Sequence, residues 1–184
     1  MKPEYEARFC NIDVEATTDR LKQLGARCVI PKTLMKRMVF ENAHLRAKRG
    51  WLRLRDEGQS VTLTYKQSTA TTSAIDTLLE AEVGISDFAG GQQLLEALGF
   101  EPLRYQENYR EEWALDGVKL DFDTWPGLPT FLEIEGPNEE SVKLAAKKLG
   151  LNFADATFGS VDEVYSRELG IDILQKPELT FDCR

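Results

Sequence analysis

The stretch EYEARF at residues 4–9 places ionic groups of both signs on one side of an extended chain. Side chains alternate between the two faces of a β-strand, so Glu4, Glu6 and Arg8 share one face and mainly apolar side chains share the other. Paired carboxylates are oxygen ligands of the kind that Mg²⁺ and Mn²⁺ prefer, and the planar guanidinium of arginine donates two parallel hydrogen bonds to a phosphate. The stretch is therefore either an ordinary solvated face or part of a metal and phosphate site.

The same kind of ionic face recurs on later segments that alternate with a period of two. In chain order, its charged members are Arg53 and Arg55, Lys66, Glu80 and Glu82, Arg110, Lys119, Asp121 and Asp123, and Glu133 and Glu135. For any one strand a solvated face is the simpler interpretation, because charged residues are normally exposed. However, basic and acidic pairs lie on separate strands with few uncharged polar residues among them, which favours a functional lining. Trp51 shares the face of the arginine pair, whereas Lys36 and Arg37 give no clear inward face.

Four segments have the apolar spacing of amphipathic helices, and each ends at a Leu-Gly pair. The predicted N-caps are Asp13, Ser86, Asn138 and Ser160, the last in a capping box with Glu163. Roughly eight strands lie between the helices, one of them interrupted near Pro31, and eight strands can close into a barrel. Because the helices need an apolar surface to cover, we expect them outside the barrel and the ionic faces inside.

A barrel lined by about eight basic and about eight acidic side chains cannot be a dry core, because burying unpaired charge is costly. It must enclose a wet tunnel or cleft that holds a ligand. Arginine pairs and carboxylate pairs together describe a site for a divalent metal and a polyphosphate.

Composition excludes several other classes of function. The chain has 184 residues and a net charge of −8, which disfavours nucleic acid as a partner because no basic stripe offsets it. No apolar run approaches the ~20 residues that span a bilayer, so we expect no membrane partner and a cytoplasmic location. The single histidine, His44, disfavours histidine-dependent nucleophilic or zinc chemistry. The three cysteines, Cys10, Cys28 and Cys183, are expected to be reduced.

The ordered set of charged residues resembles the CYTH superfamily, the triphosphate tunnel metalloenzymes. Glu4-x-Glu6-x-Arg8 looks like the family's ExExK signature, with arginine in place of lysine. The later matches are Arg53-x-Arg55, Lys66, Arg110, Asp121 or Asp123, and Glu133-x-Glu135. A lone ExExK is weak, but six elements in order over residues 4–135 are specific. The resemblance implies an α+β fold, an eight-stranded antiparallel β-barrel with amphipathic helices packed on the outside. We place this domain at residues 1–170 and a C-terminal tail at 171–184.

The resemblance also implies a role for each matched position. The implied ligands of Mg²⁺ or Mn²⁺ are Glu4, Glu6, Asp121, Glu133 and Glu135. The implied substrate-binding residues are Arg8, Arg53, Arg55, Lys66 and Arg110, with Lys119 either joining them or only neutralising Asp121. Glu80 or Glu82 would orient or deprotonate a water, or pair with an arginine. Trp51 would stack on an organic ring or pack at a barrel end, and the fourth helix would plug one end of the tunnel.

The leading functional hypothesis is a divalent-metal-dependent phosphohydrolase of inorganic, nucleoside or thiamine triphosphate. Hydrolysis is favoured because it requires only a triphosphate and water. The alternatives are a class IV adenylate cyclase that makes cAMP and pyrophosphate from ATP, a non-catalytic sensor of polyphosphate or nucleotide, and a barrel whose charges form no tunnel site. The family is often dimeric, so the resemblance also implies a homodimer.

Overall fold

The computed structural model describes residues 1–181, over which the chain forms nine β-strands and five α-helices. In chain order these are β1 (Lys2–Phe9), α1 (Val14–Gln23), β2 (Arg27–Glu41), α2 (Ala43–Ala47), β3 (Gly50–Asp56), β4 (Val61–Ser68), β5 (Leu78–Ile85), α3 (Phe88–Ala97), β6 (Glu101–Leu115), β7 (Val118–Thr124), β8 (Phe131–Gly136), α4 (Glu139–Lys148), α5 (Val161–Leu169) and β9 (Glu178–Leu179). Short 3-10 helices cover Phe153–Asp155 and Ile173–Gln175.

The first eight strands form a closed antiparallel barrel, which confirms the predicted fold. Their order is β2-β3-β4-β5-β1-β8-β7-β6, and the long strand β6 pairs back onto β2 to close the ring. The expected interruption near Pro31 is a pair of register shifts inside one continuous strand, between Cys28 and Ile30 and between Ile30 and Thr33. Proline cannot donate a ladder hydrogen bond, which accounts for an irregularity at this place.

The apolar faces of the strands point outward, where the helices cover them. Helix α4 packs its buried Val142 and Ala146 over the outer faces of β1, β7 and β8, where Ala7, Leu120 and Ile134 are fully buried. On the other side of the barrel, α3 places Leu95 against Phe40 of β2 and Leu54 of β3. This arrangement leaves the second, charged face of every strand turned to the barrel interior.

Two of the predicted helix caps are confirmed, and one helix begins a residue later than predicted. The carboxylate of Asp13 accepts a hydrogen bond from the first turn of α1, and the amide of Asn138 does the same for α4. Helix α3 is capped by Asp87 and not by Ser86, because Asp87 Oδ1 accepts from the backbone N–H of Gly90 at 2.7 Å.

The predicted capping box at the start of α5 is wrong. Ser160 occupies the N-cap position but makes no capping hydrogen bond with its side chain. Its hydroxyl donates instead to the carboxylate of Asp162, two residues further on. Helix α2 was not predicted; it is a single short turn whose start is capped by the side chain of Asn42.

The segment after α5 packs against the barrel. Ile173 and Leu179 are buried beside Trp125 and Tyr165, and β9 pairs in parallel with β6. Residues 182–184 of the expected tail, including Cys183, lie outside the described residues. Within residues 1–181 both cysteines are free thiols, and no helix of that range has the length and apolar character needed to cross a bilayer.

We predict that Ile173→Ala lowers the free energy of unfolding by about 2–4 kcal/mol, because it opens a cavity in a fully packed cluster. Leu174→Ala, at a neighbouring side chain that is 46 % exposed, should cost less than about 1 kcal/mol. Urea denaturation of the two variants measures the difference. Equal and small losses would show that the segment contributes little to the fold.

Candidate active site

The charged faces of the eight strands surround a cavity of about 340 Å³ inside the barrel. Every strand of the barrel contributes to its lining. The predicted site residues that line it are Glu4, Glu6, Arg8, Trp51, Arg53, Arg55, Lys66, Glu80, Glu82, Arg110, Lys119, Glu133 and Glu135. Asp121 is fully buried behind the lining. The period-two pattern therefore brings nearly the whole predicted set to one place.

One wall of the cavity, which we call the acidic wall, is formed by the inward faces of β1, β7 and β8. Glu6 lies directly opposite Glu135 across β1 and β8, and Arg8 lies opposite Glu133. On β7, Asp121 is the partner of Glu133. Carboxylates thus outnumber basic groups on this wall, and their charges must be balanced by residues inserted among them.

Arg110 of β6 provides much of that balance. Its Nη1 lies 2.7 Å from Asp121, its Nε donates to Asp123 at 2.8 Å, and its Nη2 donates to Glu133 at 3.0 Å. Arg8 adds a second contact to Glu133, at 2.7 Å from Nη2. Burial favours the protonated form of Glu133, but Arg8 and Arg110 outweigh it and hold the pKa of Glu133 well below its ordinary value.

Two carboxyl groups of the acidic wall are less well compensated. Burial raises the pKa of Glu6 to about 7, against the effect of Arg8, and Glu133 adds to the rise. Burial likewise raises the pKa of Asp121 to about 7, although Arg110 opposes it. Glu6 Oε1 lies 3.0 Å from Arg8 Nη1 but takes part in no hydrogen bond within the described residues. Carboxylate oxygens of Glu6 and Asp121 therefore have no hydrogen-bond donor within residues 1–181 and could coordinate a cation.

Carboxylate oxygens without donors raise the question of whether a divalent cation fits at the acidic wall. Within residues 1–181 no three acidic, histidine or cysteine side chains are clustered as a preformed metal site, because basic side chains lie between the carboxylates. Glu4, Glu6 and Glu135 nevertheless line one cavity on adjacent strands and offer only oxygen ligands. The donor set therefore fits Mg²⁺ or Mn²⁺, provided that Lys66 and Lys119 release Glu4 and Glu135, which they contact at 2.7 and 2.6 Å.

The opposite wall, which we call the basic wall, is formed by β2, β3 and β4. Arg53, Arg55 and Lys66 project from it into the cavity, together with Arg37 of β2. The Nε atoms of the three arginines are buried and have no acceptor within the described residues. Burial, reinforced by Arg53 and Arg110, lowers the pKa of Arg55 to about 10. Hydrogen-bond donors without acceptors, in a place crowded with positive charge, are what an oxyanion requires.

Glu80 and Glu82 of β5 stand at the edge of the basic wall and differ in their contacts. Glu82 accepts a hydrogen bond from Thr64 Oγ1 at 2.6 Å and lies 3.4 Å from Arg53 Nη2. Although burial opposes it, these contacts lower the pKa of Glu82. Glu80 lies 3.8 Å from Lys66 Nζ and close to the carboxyl group of Glu4, whose pKa it helps to raise. Glu82 therefore orients Thr64 and Arg53, whereas Glu80, within residues 1–181, has only the longer ion pair with Lys66 and the neighbouring carboxyl group of Glu4.

Sequence reasoning missed several lining residues. They are Arg37, Val39, Glu41, Leu78, Arg104, Gln106, Trp125, Phe131, Ser160, Val161, Asp162, Ile173 and Leu174. Arg104 and Gln106 have the same parity as Arg110, and they could have been found by extending β6 upstream of Tyr109. Ser160 to Asp162 and the turn at Ile173 lie at one end of the cavity, where Arg8 also donates to the carbonyl of Gly159. The start of α5 thus lines the cavity, and the plug implied for the fourth predicted helix stays a prediction.

A family model described as the CYTH domain matches residues 39–155. The chain belongs to the CYTH family. The matched range covers the last residues of β2 and all six strands from β3 through β8, and the family is generally metal-dependent. A search of curated proteins found no match to the sequence.

Solved structures share the CYTH fold over most of the chain. A candidate adenylate cyclase from Vibrio parahaemolyticus is 17 % identical, with a TM-score of 0.76, covering 90 % of this chain and 98 % of its own. A conserved hypothetical protein from Pyrococcus furiosus is 24 % identical, with a TM-score of 0.69, covering 84 % and 94 %. A candidate adenylyl cyclase from Hippeastrum, described as having a dominant triphosphatase activity, is 18 % identical, with a TM-score of 0.60, covering 95 % and 99 %. At these identities the likeness establishes the fold.

We predict that Arg110→Met costs about 3–5 kcal/mol of unfolding free energy, because it leaves buried carboxylates without their shared counter-ion. Lys119→Met is the matched control, since the Lys119 side chain is 46 % exposed and an exposed pair contributes less than about 1 kcal/mol. Urea denaturation in metal-free buffer measures both variants. Equal losses of unfolding free energy in the two variants would show that Arg110 stabilises the barrel no more than Lys119 does.

Proposed function

We propose that this CYTH protein is a divalent-metal-dependent triphosphatase that acts inside the barrel. The observation that supports this most directly is the division of one cavity into an acidic wall and a basic wall. A polyphosphate is the ligand whose chemistry matches both, since its oxygens bind guanidinium groups directly and carboxylates only through a cation. The triphosphatase activity named for the Hippeastrum neighbour supports the hydrolytic form of the proposal.

The residues of the basic wall would bind and orient the substrate. Arg53, Arg55 and Lys66 approach the cavity from adjacent strands, so that a phosphate chain lying along the wall contacts all three. A metal held by Glu4, Glu6 and Glu135 would neutralise phosphate oxygens and stabilise the charge that develops during transfer. Because such reactions involve little covalent chemistry by the protein, positioning and charge are its main contributions.

Glu80 is the better candidate to orient the attacking water. Its carboxylate lines the cavity beside Glu4, and within residues 1–181 the one cation at ion-pair distance is Lys66, at 3.8 Å. Glu82 acts instead as a positioning residue, because it accepts from Thr64 and holds Arg53 in place. The proposed step is in-line attack of this water on the terminal phosphoryl group, with breakage of the bond to the bridging oxygen.

The test is an incubation of the purified protein with inorganic triphosphate, ATP or thiamine triphosphate, each with Mg²⁺, Mn²⁺ or EDTA. Phosphate, pyrophosphate and cAMP are measured in the same samples. We expect metal-dependent phosphate release that is abolished by EDTA and reduced on the order of 100-fold in Glu4→Gln. Glu139→Gln, on the exposed start of α4, should retain full activity.

Other results would assign the site differently. Pyrophosphate and cAMP in equal amounts from ATP would replace the hydrolase proposal with a class IV adenylate cyclase. Binding of triphosphate without turnover under any metal would replace it with a sensor.

Trp51 provides a test of the substrate class. If its ring stacks on an organic group, Trp51→Ala should raise the KM for ATP or thiamine triphosphate about 3- to 10-fold. The KM for inorganic triphosphate, which has no ring, should stay within about twofold. A parallel rise for all three substrates would mean that Trp51 only packs at the end of the barrel. Steady-state kinetics on one preparation provide the comparison.

A further inference from the structure

Unbalanced positive charge is concentrated where β2 meets β3. Arg37 lies directly opposite Arg55 in the register of these strands, and both side chains line the cavity. Like charges in directly opposite positions destabilise a sheet. Within residues 1–181, Arg55 has one carboxylate contact, to Glu57 in the following turn, and Arg37 has none within ion-pair distance. The pair therefore weakens the barrel unless an anion lies against it.

Arg37 is held in a fixed orientation despite this cost. Its guanidinium stacks on the ring of Trp125 at 4.5 Å from the centroid and donates to Asn108 Oδ1. Asn108 in turn donates to Asp123 Oδ1 at 2.9 Å. This chain of contacts orients a cation without neutralising it, which is the arrangement expected of a residue that is positioned for a ligand.

Two buried donors in this region have no partner within the described part of the chain. They are Nε of Arg37 and the indole Nε1 of Trp125, whose residues are 8 % and 2 % exposed. Burial, together with Arg53 and Arg55, lowers the pKa of Arg37. A buried donor that finds no acceptor costs free energy, and a phosphoryl oxygen in the cavity would supply the missing acceptor.

The position of this region suggests which part of a ligand it meets. Thr62 is the partner of Arg55 on β4, and Lys66 lies four residues further along the same strand, a distance of about 13 Å. The basic wall is therefore longer than a single phosphoryl group. A short ligand held by Lys66 and Arg53 would leave Arg37 without an acceptor.

We infer that Arg37, Arg55 and Trp125 form a subsite for one terminal phosphoryl group, and that this subsite makes the protein bind triphosphates in preference to diphosphates. The inference rests on the proposed function, since it assigns a part of the same polyphosphate site. The new element is that Arg37 makes the site discriminate between triphosphates and diphosphates.

The experiment measures binding of inorganic triphosphate and pyrophosphate by calorimetry in EDTA, where turnover is prevented. We expect the wild type to bind triphosphate about tenfold or more tightly than pyrophosphate, and Arg37→Met to lose most of that ratio through weaker triphosphate binding. Arg27→Met, an exposed arginine on the same strand, is the control and should keep the ratio. The melting temperature of ligand-free Arg37→Met is measured to show that the variant is folded, because the substitution removes a like-charge pair but also leaves the buried Asn108 Oδ1 without its donor.

An unchanged ratio in Arg37→Met would overturn the inference, as would an equal weakening of both ligands, which indicates a structural role. If Arg37→Met does not fold, Arg37→Lys serves instead, since lysine keeps the charge but lacks Nε. Lysine should lower the ratio several-fold, and full retention would overturn the inference. Selective triphosphate binding without phosphate release under any metal would refute the hydrolase but leave the subsite intact.

Discussion

The contacts of Arg110 with Asp121, Asp123 and Glu133 make the acidic half of the barrel possible. Three carboxylates on adjacent strands cannot be buried together as anions without a cation among them. Arg110 reaches all three because β6 runs beside β7 at the level where Asp123 is its partner. The remaining carboxylates of that wall can then face the cavity.

The two walls are built in opposite ways. The acidic wall is largely neutralised by basic residues of the protein itself, whereas the basic wall keeps donors that have no acceptor among residues 1–181 and like charges in opposite positions. The first arrangement stabilises the metal-free protein. The second leaves hydrogen-bond donors and positive charges that a bound anion would satisfy. Helices α3 and α4 cover apolar surface outside the barrel, and that burial offsets the cost of the charged interior.

The sequence predicted the barrel and most of its lining because alternation along a strand is a strictly local pattern. Glu4, Arg53 and Glu133 needed no knowledge of their neighbours to be assigned to an inward face. Which arginine meets which carboxylate could not be predicted, because it depends on the register between strands that are distant in sequence. The pattern does not assign Arg37 to a face, because Lys36 beside it puts charge on both faces.

Other errors had equally local causes. Asn108 is uncharged, and Trp125 follows β7 in WPGLP, whose proline and glycine content is typical of a turn and gives no inward face. The segment after α5 has two strand residues and one short turn, too few for any periodic pattern, so its packing depends on contacts that only the folded barrel provides.

The order of the strands has a consequence for how the protein acquires its binding capacity. Strand β1 lies between β5 and β8, so that Arg8 meets Glu133 across most of the chain, and β2 pairs with the distant β6. Such distant pairings form slowly, because the loops between them must be closed before any contact stabilises them. A growing chain therefore has no binding cavity until β8 has emerged and paired. Any ligand that binds only the closed barrel will then favour folding itself, by mass action on the last step.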